Sequence, residues 1–290
     1  MTPSMLKAVS MRMQWLRHAG KEVIYPLLET LTAHRGISRR VNGEAIRFPV
    51  RWSRYYPSVY EQAKHRFLRR HCRPGSDVLD IGAHIGLFTV VMARCVAPNG
   101  RVYSFEPSDD SRRALVETVR LNGCQDLVSV RPEAVSSASG QAYFYCAETP
   151  VCNSNSLVAG AARSHGVTVS TVSVDEFVEA HGLRVACIKV DAEGSEIHIL
   201  RGARRTLERS RPALAVEIHP NLLNDHGGWW DELWELARAC RLSWLMDGKP
   251  LDRDQLRSLG HYVEVQAVRT ESIRTVNSDV YATPGTVSRS

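Results

Sequence analysis

The chain has 290 residues, of which 43% are hydrophobic and 23% charged, and this composition is typical of a folded globular protein. It excludes a disordered chain, a collagen-like repeat and a disulfide scaffold, and no apolar run is long enough for a transmembrane helix. The net charge of +6 is unevenly placed, because residues 1–76 hold 15 basic and 4 acidic side chains and the remainder holds 22 and 27. A basic flank of this kind favours an anionic partner or surface, although a solvated, basic helical extension is the simpler interpretation.

The seven cysteines are scattered along the chain, and no two of them have CxxC spacing. Several lie in apolar runs, where buried free thiols are common, so a reducing compartment is favoured over secretion. The first residues also lack the compact apolar core and cleavage site of a secretory signal. We therefore predict a cytoplasmic protein, while the basic amphipathic start of the chain leaves an organelle-targeting role open.

Residues 1–35 have a helical period, and residues 35–57 are mixed and punctuated by glycine and proline. Short apolar runs then alternate with helical segments. The predicted helices are 60–70, 87–96, 111–121, 196–207 and 229–239. The predicted strands are 78–81, 101–105, 127–130, 141–146, 167–174, 185–190, 213–218, 242–246 and 262–268. This alternation predicts a parallel sheet covered on both faces, with 149–166 as a long polar loop and the residues after 270 as a loose tail.

A glycine turn follows the first of these strands, in Asp80-Ile81-Gly82-Ala83-His84-Ile85-Gly86. Glycines at such a position allow a tight turn and a close approach of the backbone to a ligand. The spacing is GxxxG, which is neither the dinucleotide fingerprint GxGxxG nor a phosphate-binding loop. A cofactor with a carboxylate and no pyrophosphate therefore fits better, although glycine turns also serve packing alone.

Acidic residues follow the next two strands. Glu106 ends the second strand, 24 residues after Gly82, where a carboxylate can accept two hydrogen bonds from a ribose diol. The simpler alternative is an acid at the start of the following helix. Glu133 and Ala134 follow the third strand, where a carboxylate or a backbone group could reach an adenine amine. Taken alone, Glu133 is an ordinary surface acid.

Together these segments resemble a class I S-adenosylmethionine-dependent methyltransferase and, more narrowly, the FkbM family. The resemblance covers roughly residues 60–250, and its most specific segment is Lys-x-Asp-x-Glu-Gly-x-Glu at 189–196. The other segments that carry it are 77–89, 105–107, 134–136 with Gly140, 200–203 and 216–220. This chain has His84 where the family usually has Asn, a residue that tolerates turn backbone more readily.

The resemblance implies an α/β, Rossmann-like fold with a mostly parallel, seven-stranded sheet and helices on both faces. It implies S-adenosylmethionine as cofactor and methyl transfer to a hydroxyl of a small molecule or glycan, such as a sugar or a polyketide. We expect a methyltransferase domain at 59–269, a basic and largely helical extension at 1–58 and a polar tail at 270–290. The expected cofactor-binding residues are Asp80, Gly82, Ala83, His84, Gly86, Glu106, Pro107, Glu133, Ala134 and Asp191.

Three residues at strand ends are predicted to be catalytic. Asp191, the first choice, would act as base or orient the hydroxyl, and Glu193 is the second choice. His219 leaves the next strand, where a neutral imidazole oriented by Glu217 could be the base. The simpler alternatives are helix capping by Asp191 and a packed His219, while Lys189, inside a strand, is expected to pair with an acid. These side chains could bind a divalent metal, but no compact ligand motif is present, so we predict metal-independent turnover.

Acceptor selection is assigned to variable segments. Asn153, Ser154, Asn155 and Ser156 could bind hydroxyls, whereas Trp229, Trp230 and Trp234 fit a helix packing stripe better than a sugar platform. The competing interpretations are a nucleic-acid-binding or RNA-modifying protein that uses the basic N-terminal region, a nicotinamide oxidoreductase, and a non-catalytic cofactor binder. No RNA-module signature is present, so a small-molecule or glycan acceptor is favoured and no nucleic-acid partner is expected.

Overall fold

The computed structural model describes residues 25, 27–147, 155–158, 163–222, 228–259 and 263–273. The predictions for residues 1–24, for Asn153 and Ser154, and for the tail beyond residue 273 lie outside these residues. Residues 27–31 are helical, as the sequence predicted.

The described strands and helices alternate through most of the chain. The strands are β1 (Ile37–Val41), β2 (Glu44–Phe48), β3 (Asp77–Ile81), β4 (Arg101–Phe105), β5 (Val128–Arg131), β6 (Ala134–Ser136), β7 (Gly140–Ala147), β8 (Arg163–Ser173), β9 (Val185–Asp191), β10 (Ala213–Ile218), β11 (Leu242–Met246), β12 (Lys249–Pro250) and β13 (Val263–Arg269). The helices are α1 (Gln62–His71), α2 (Leu87–Val96), α3 (Asp109–Leu121), α4 (Val174–Ala180), α5 (Glu196–Arg201), α6 (Arg204–Ser210), α7 (Gly228–Ala239) and α8 (Arg253–Arg257).

The main sheet has the strand order β12-β11-β13-β10-β9-β3-β4-β5. Strands β10, β9, β3, β4 and β5 are parallel neighbours, and β13 runs antiparallel between β10 and β11. The predicted mostly parallel α/β sheet is confirmed. Its expected count of seven strands was one too low, because a turn at Asp247 and Gly248, both with positive φ, adds the two-residue edge strand β12.

Helices cover both faces of this sheet, and each face has its own apolar cluster. One cluster joins the sheet to α1, α2 and α3, and the other joins it to α4, α5, α6 and α7. Strand β3 serves both, because Val78 packs into the first cluster while Leu79 and Ile81 pack into the second. Alternate side chains of a buried strand point to opposite faces, so its apolar run is continuous.

The region predicted as a largely helical extension contains a β-hairpin, which corrects that prediction for residues 37–48. Strands β1 and β2 pair antiparallel through Asn42 and Gly43, both with positive φ. Asn-Gly is a strong signal for such a two-residue turn. Ile46 and Phe48 are buried in the same cluster as α2 and α3.

Two other element bounds were wrong. The predicted helix at 196–207 is interrupted at Gly202, where a Cβ would lie 2.3 Å from the Ser136 oxygen. The carboxylate of Asp175 then accepts hydrogen bonds from the amides of Arg205 and Thr206 and caps α6 from outside. In the predicted loop at 149–166, residues 163–166 already belong to β8, which pairs with β7.

Neither a membrane-spanning helix nor a disulfide bond is present in the part of the chain that the structure describes. None of its helices combines the length and the apolar character needed to cross a bilayer. Six of the seven cysteines lie within these residues, and all six are free thiols.

Candidate active site

The glycine turn after β3 lies against the end of β9. Gly82 has a φ of +74°, and a Cβ there would lie 1.7 Å from the backbone oxygen of Asp191. The position therefore requires glycine both for its conformation and for its space. This contact joins two of the sequence segments that carry the family resemblance, 77–89 and 189–196.

Asp80 lies beneath the turn and does not line the cavity described below. Its side chain is fully buried, accepts a 2.6 Å hydrogen bond from Thr89 Oγ1, and lies 3.1 Å from Lys189 Nζ. Lys189 also donates to the Gly82 oxygen at 2.7 Å, so the predicted pairing of Lys189 with an acid is confirmed. These contacts place Asp80 as a support of the turn from below, and its contact with the cofactor stays a prediction.

We expect Thr89→Val to lower the free energy of unfolding by about 2 kcal/mol, because it removes a donor from a buried carboxylate. Thr118→Val is the matched control, since Thr118 is equally buried on a neighbouring helix and its hydroxyl has no hydrogen-bond partner. Urea unfolding of both variants measures the difference. Equal losses would show that the Thr89–Asp80 hydrogen bond contributes no stability.

A cavity of about 910 Å³, including its open mouth, lies above the carboxyl ends of β3, β4 and β9. Ligands of open α/β sheets bind at this edge. The residues that line it include Tyr55, Tyr56, Tyr60, Gly82, Ala83, His84, Phe88, Glu106, Pro107, Ala134, Phe144, Asn155, Asp191 and Glu193. The turn, Glu106 and Asp191 therefore share one cavity, whereas Asp80 lies outside it.

Glu106 links the tip of β4 to the glycine turn. Its carboxylate accepts hydrogen bonds from the amides of His84, at 2.8 Å, and Ser108, at 2.9 Å. Burial raises the pKa of Glu106 to about 7. His84 adopts a φ of +51°, and its ring contacts Tyr55 and Tyr56. The buried Nε2 of His84 has no hydrogen-bond partner, which leaves one polar atom on the wall of the cavity unsatisfied.

Besides Asp80, two predicted cofactor-binding residues do not line this cavity. Glu133 forms an ion pair with Arg131 at 2.7 Å, while its neighbour Ala134 does line the cavity. Gly86 packs against α3, where a Cβ would lie 2.8 Å from the Leu115 side chain. Its glycine is explained by helix packing.

Asp191 and Glu193 face the same cavity but have opposite electrostatic environments. The Oδ2 atom of Asp191 lies 3.6 Å from Lys64 Nζ and 3.8 Å from Lys189 Nζ. Burial opposes ionisation of Asp191, but these two lysines outweigh it and lower its pKa. Burial raises the pKa of Glu193 to about 7, so Glu193 is better suited than Asp191 to accept a proton near neutral pH.

His219 lies among three carboxylates. Its Nδ1 is 2.9 Å from Glu196 Oε1, and its Nε2 is 3.6 Å from Glu193 and 3.7 Å from Glu217. Burial disfavours the imidazolium, but Glu196 and the other carboxylates outweigh it and raise the pKa of His219 to about 9. The expected neutral imidazole is therefore not what this environment favours at pH 7.

Glu196 shapes the loop that carries the two acids. Its fully buried Oε1 also accepts from the Gly194 amide at 3.0 Å. From the sequence, Glu196 is only the first residue of the predicted helix at 196–207, and this role was not predicted. The loop is further held by Ser156, whose Oγ donates to the Glu193 oxygen at 2.6 Å.

The segment before β3 contributes to the site in a way that was not predicted from the sequence. Tyr55, Tyr56 and Tyr60 line the cavity, and Lys64 of α1 lies buried beside Asp191. An available signal was that Lys64 shares a face of α1 with Leu68, one turn later. The three tryptophans of the predicted packing stripe are packing residues, as predicted. Trp229 and Trp230 are buried in the core, and Trp234 packs against it.

Among the residues that the structure describes, one group of side chains has ligand atoms close enough for a metal ion. Atoms of Asp191, Glu217 and His219 lie within 4.8 Å of one another. The Lys64 ammonium contacts Glu217 and approaches Asp191, so a positive charge already lies at this group.

These features define a class of protein. A mostly parallel sheet with a glycine turn after β3 and an acid at the tip of β4 is the arrangement of a class I methyltransferase. The unsatisfied His84 Nε2, the close backbone at Gly82 and the Glu106 carboxylate fit a cofactor that combines polar groups with a ribose.

Comparison with known proteins gives the family. The profile of the Methyltransferase FkbM domain matches residues 80–240. The hexuronic acid methyltransferase AglP of Haloferax volcanii is 29% identical over 186 residues, which are 62% of this chain and 72% of AglP. Because the profile matches more than half of the chain, the chain belongs to the FkbM methyltransferase family.

Solved structures show more distant likeness. The methyltransferase FkbM from Methylobacillus flagellatus KT gives a TM-score of 0.44 at 16% identity, covering 67% of this chain and 43% of that chain. This chain thus spans less than half of that protein. An O-methyltransferase from Bacillus cereus in complex with SAH gives 0.43 at 16% identity, covering 73% of this chain and 82% of that chain.

Proposed function

We propose that the protein is an S-adenosylmethionine-dependent O-methyltransferase that acts on a hydroxyl of a sugar-like small molecule or glycan. The observation that carries this proposal is that Glu106 and the glycine turn open into the same cavity as the ionisable Glu193. The family assignment supports methyl transfer, and the name of the relative AglP favours a sugar acid as the acceptor class.

S-adenosylmethionine supplies a methyl group that is activated by a positively charged sulfur. The protein must hold the acceptor in line, remove its proton and exclude water. We assign proton removal to Glu193, whose pKa of about 7 lets it accept a proton at neutral pH. Asp191 stays ionised between two lysines, and we assign it the orientation of the reacting groups.

His219 is assigned a positioning role. As an imidazolium it would hold the Glu193 carboxylate, 3.6 Å away, through an electrostatic contact. Glu196 fixes the other side of the ring. Glu193 is thus held at the cavity by a charge contact, and its carboxylate stays able to accept a proton.

The cofactor end of the cavity is tested by Glu106→Ala. We expect about a 10- to 100-fold weaker affinity for S-adenosylmethionine, because charged hydrogen bonds contribute about 1.5–3 kcal/mol. Glu133→Gln is the control, since Glu133 does not line the cavity and its expected effect is small. Calorimetric titration at pH 8.5, where the Glu106 carboxyl is ionised, measures both variants. Equal affinities of the two variants would remove Glu106 from the site.

The cavity is also lined by four aromatic residues and a polar one, which we assign to the acceptor: Tyr55, Tyr56, Tyr60, Phe144 and Asn155. Aromatic faces next to hydrogen-bonding groups are suited to a sugar ring. The proposal is tested by offering cofactor labelled with ¹³C in its methyl group to sugars, uronic acids and RNA, and by identifying the product by NMR and mass spectrometry. A methoxyl on a sugar is expected, and a methyl group found only on RNA would contradict the acceptor class.

The compartment and the N-terminal contact remain proposals. The six free thiols of the described residues support a reducing compartment such as the cytoplasm. Contact of the basic N-terminal segment with an anionic surface rests on its sequence alone, because residues 1–24 lie outside the described chain.

A further inference from the structure

Lys64 places a buried positive charge beside Asp191 in the candidate active site. It lies on α1, which is not one of the segments that carry the family resemblance. Its side chain is completely buried, and its ammonium contacts the carboxylates of Glu61 and Glu217. The same ammonium lies 3.6 Å from Asp191 Oδ2 and 5.4 Å from the centre of the Phe88 ring. Burial opposes the charge, but the surrounding carboxylates outweigh it and hold the pKa of Lys64 well above its ordinary value.

This ammonium lies at the one place among the described residues where side chains are grouped as a metal site would require. Asp191, Glu217 and His219 offer ligand atoms within 4.8 Å of one another, and Lys64 contacts or approaches both carboxylates. Oxygen and imidazole ligands of this kind suit divalent cations. A fixed ammonium in their midst neutralises the carboxylates and repels a second cation.

The two lysines near Asp191 are held by separate partners. Lys189 is fixed from below by Asp80 and the Gly82 oxygen, whereas Lys64 is fixed from the side by Glu61 and Glu217. Removing Lys64 would therefore leave Lys189 in place while freeing Glu217 and one side of Asp191. The two charges are separable by mutation.

We propose that the Lys64 ammonium is the resident cation of this active site, which positions the carboxylates of Asp191 and Glu217 and keeps divalent cations out. The inference rests on the proposed function, because it gives Asp191 a role beside the methyl donor. Lys64 acts through these carboxylates and is a positioning residue.

The test uses charge-balanced variants, because a lone Lys64 substitution would leave buried carboxylates without compensation. Lys64→Ala/Glu61→Gln removes the ammonium and leaves space, whereas Lys64→Met/Glu61→Gln removes the charge and fills the space. Glu61→Gln alone keeps the ammonium and is the control. Mn²⁺ is titrated into each protein by calorimetry, without cofactor or acceptor.

We expect Mn²⁺ to bind Lys64→Ala/Glu61→Gln at least about tenfold more tightly than it binds the wild type or Glu61→Gln. Adding Asp191→Asn to the binding variant should abolish the gain. Specific binding by the wild type that Asp191→Asn removes, or no gain in the Ala variant, would overturn the proposal.

Kinetics provide the second measurement. We expect Lys64→Met/Glu61→Gln to lower kcat about 10- to 100-fold, because misplaced groups cost this much. Its KM for S-adenosylmethionine should be unchanged, since the double substitution leaves the net charge of the site the same. A merely structural role would raise that KM, and wild-type kcat in this variant would overturn the positioning role. If the wild type binds no S-adenosylmethionine, the proposed function fails. The Mn²⁺ titrations still test whether Lys64 excludes divalent cations, because they use neither cofactor nor acceptor.

Discussion

Glu193→Gln is expected to lower kcat for methyl transfer by about 10²- to 10⁴-fold, the contribution typical of a general base. Glutamine keeps the size of the side chain but cannot accept the acceptor proton. The affinity for S-adenosylmethionine should change little, because the variant retains the turn, Glu106 and Asp191. Single-turnover and steady-state rates, together with calorimetry, separate the two effects.

The pH dependence of the same variant gives a sharper test. A base acts only when ionised, so kcat/KM for the acceptor should rise with pH through a midpoint no higher than about 7, the pKa of Glu193 in the free protein. The cofactor is kept saturating, so that ionisation of Glu106 does not limit binding. Glu193→Gln should lose this acidic limb.

Glu264→Gln is the matched control for this experiment. Burial raises the pKa of Glu264 to about 7 as well, but Glu264 does not line the cavity. Its substitution should therefore leave the acidic limb in place. Loss of the limb in Glu264→Gln, or its retention in Glu193→Gln, would remove Glu193 as the base.

Gly82→Ala is expected to cost about 3–5 kcal/mol of unfolding free energy and to weaken cofactor binding. About 1–2 kcal/mol arises from the left-handed backbone, and the rest from overlap of the new methyl with the Asp191 oxygen, 1.7 Å away. The turn can relieve this overlap only by moving away from β9. Denaturant unfolding and calorimetric titration measure the two losses.

Gly75→Ala separates the two causes. Gly75 has a φ of +79°, close to that of Gly82, but a Cβ there meets nothing within 4 Å. We expect it to cost only about 1–2 kcal/mol. If both variants lose the same stability, the close approach of the turn to β9 is not what requires glycine at position 82.

Much of the fold could be predicted from the sequence because its signals are local. The strands β3, β4, β9 and β10 appear as short apolar runs, and the turn at Gly82 follows directly from the glycine spacing. The β1–β2 hairpin was missed although Asn42-Gly43 signals it. At the break, Gly202 packs against the Ser136 oxygen and Asp175 caps α6, and these contacts join residues distant in sequence that a local pattern does not show.

The position of the candidate site could be predicted from the sequence, but the charge states of its side chains could not. Strand ends placed Glu106, Asp191, Glu193 and His219 at one edge of the sheet, since parallel strands end together. The charge states depend on neighbours that are distant in sequence. Lys64 lies 153 residues from Glu217, so the lowered pKa of Asp191 and the raised pKa of His219 could not be inferred from spacing.

A co-crystal structure with S-adenosylhomocysteine would show directly whether this cavity binds the cofactor. We expect density for the ligand in the cavity above β3, β4 and β9, with its ribose hydroxyls on Glu106 and its sulfur on the side of Asp191. Density at any other place on the molecule, with this cavity left to solvent, would show that the cofactor site lies elsewhere.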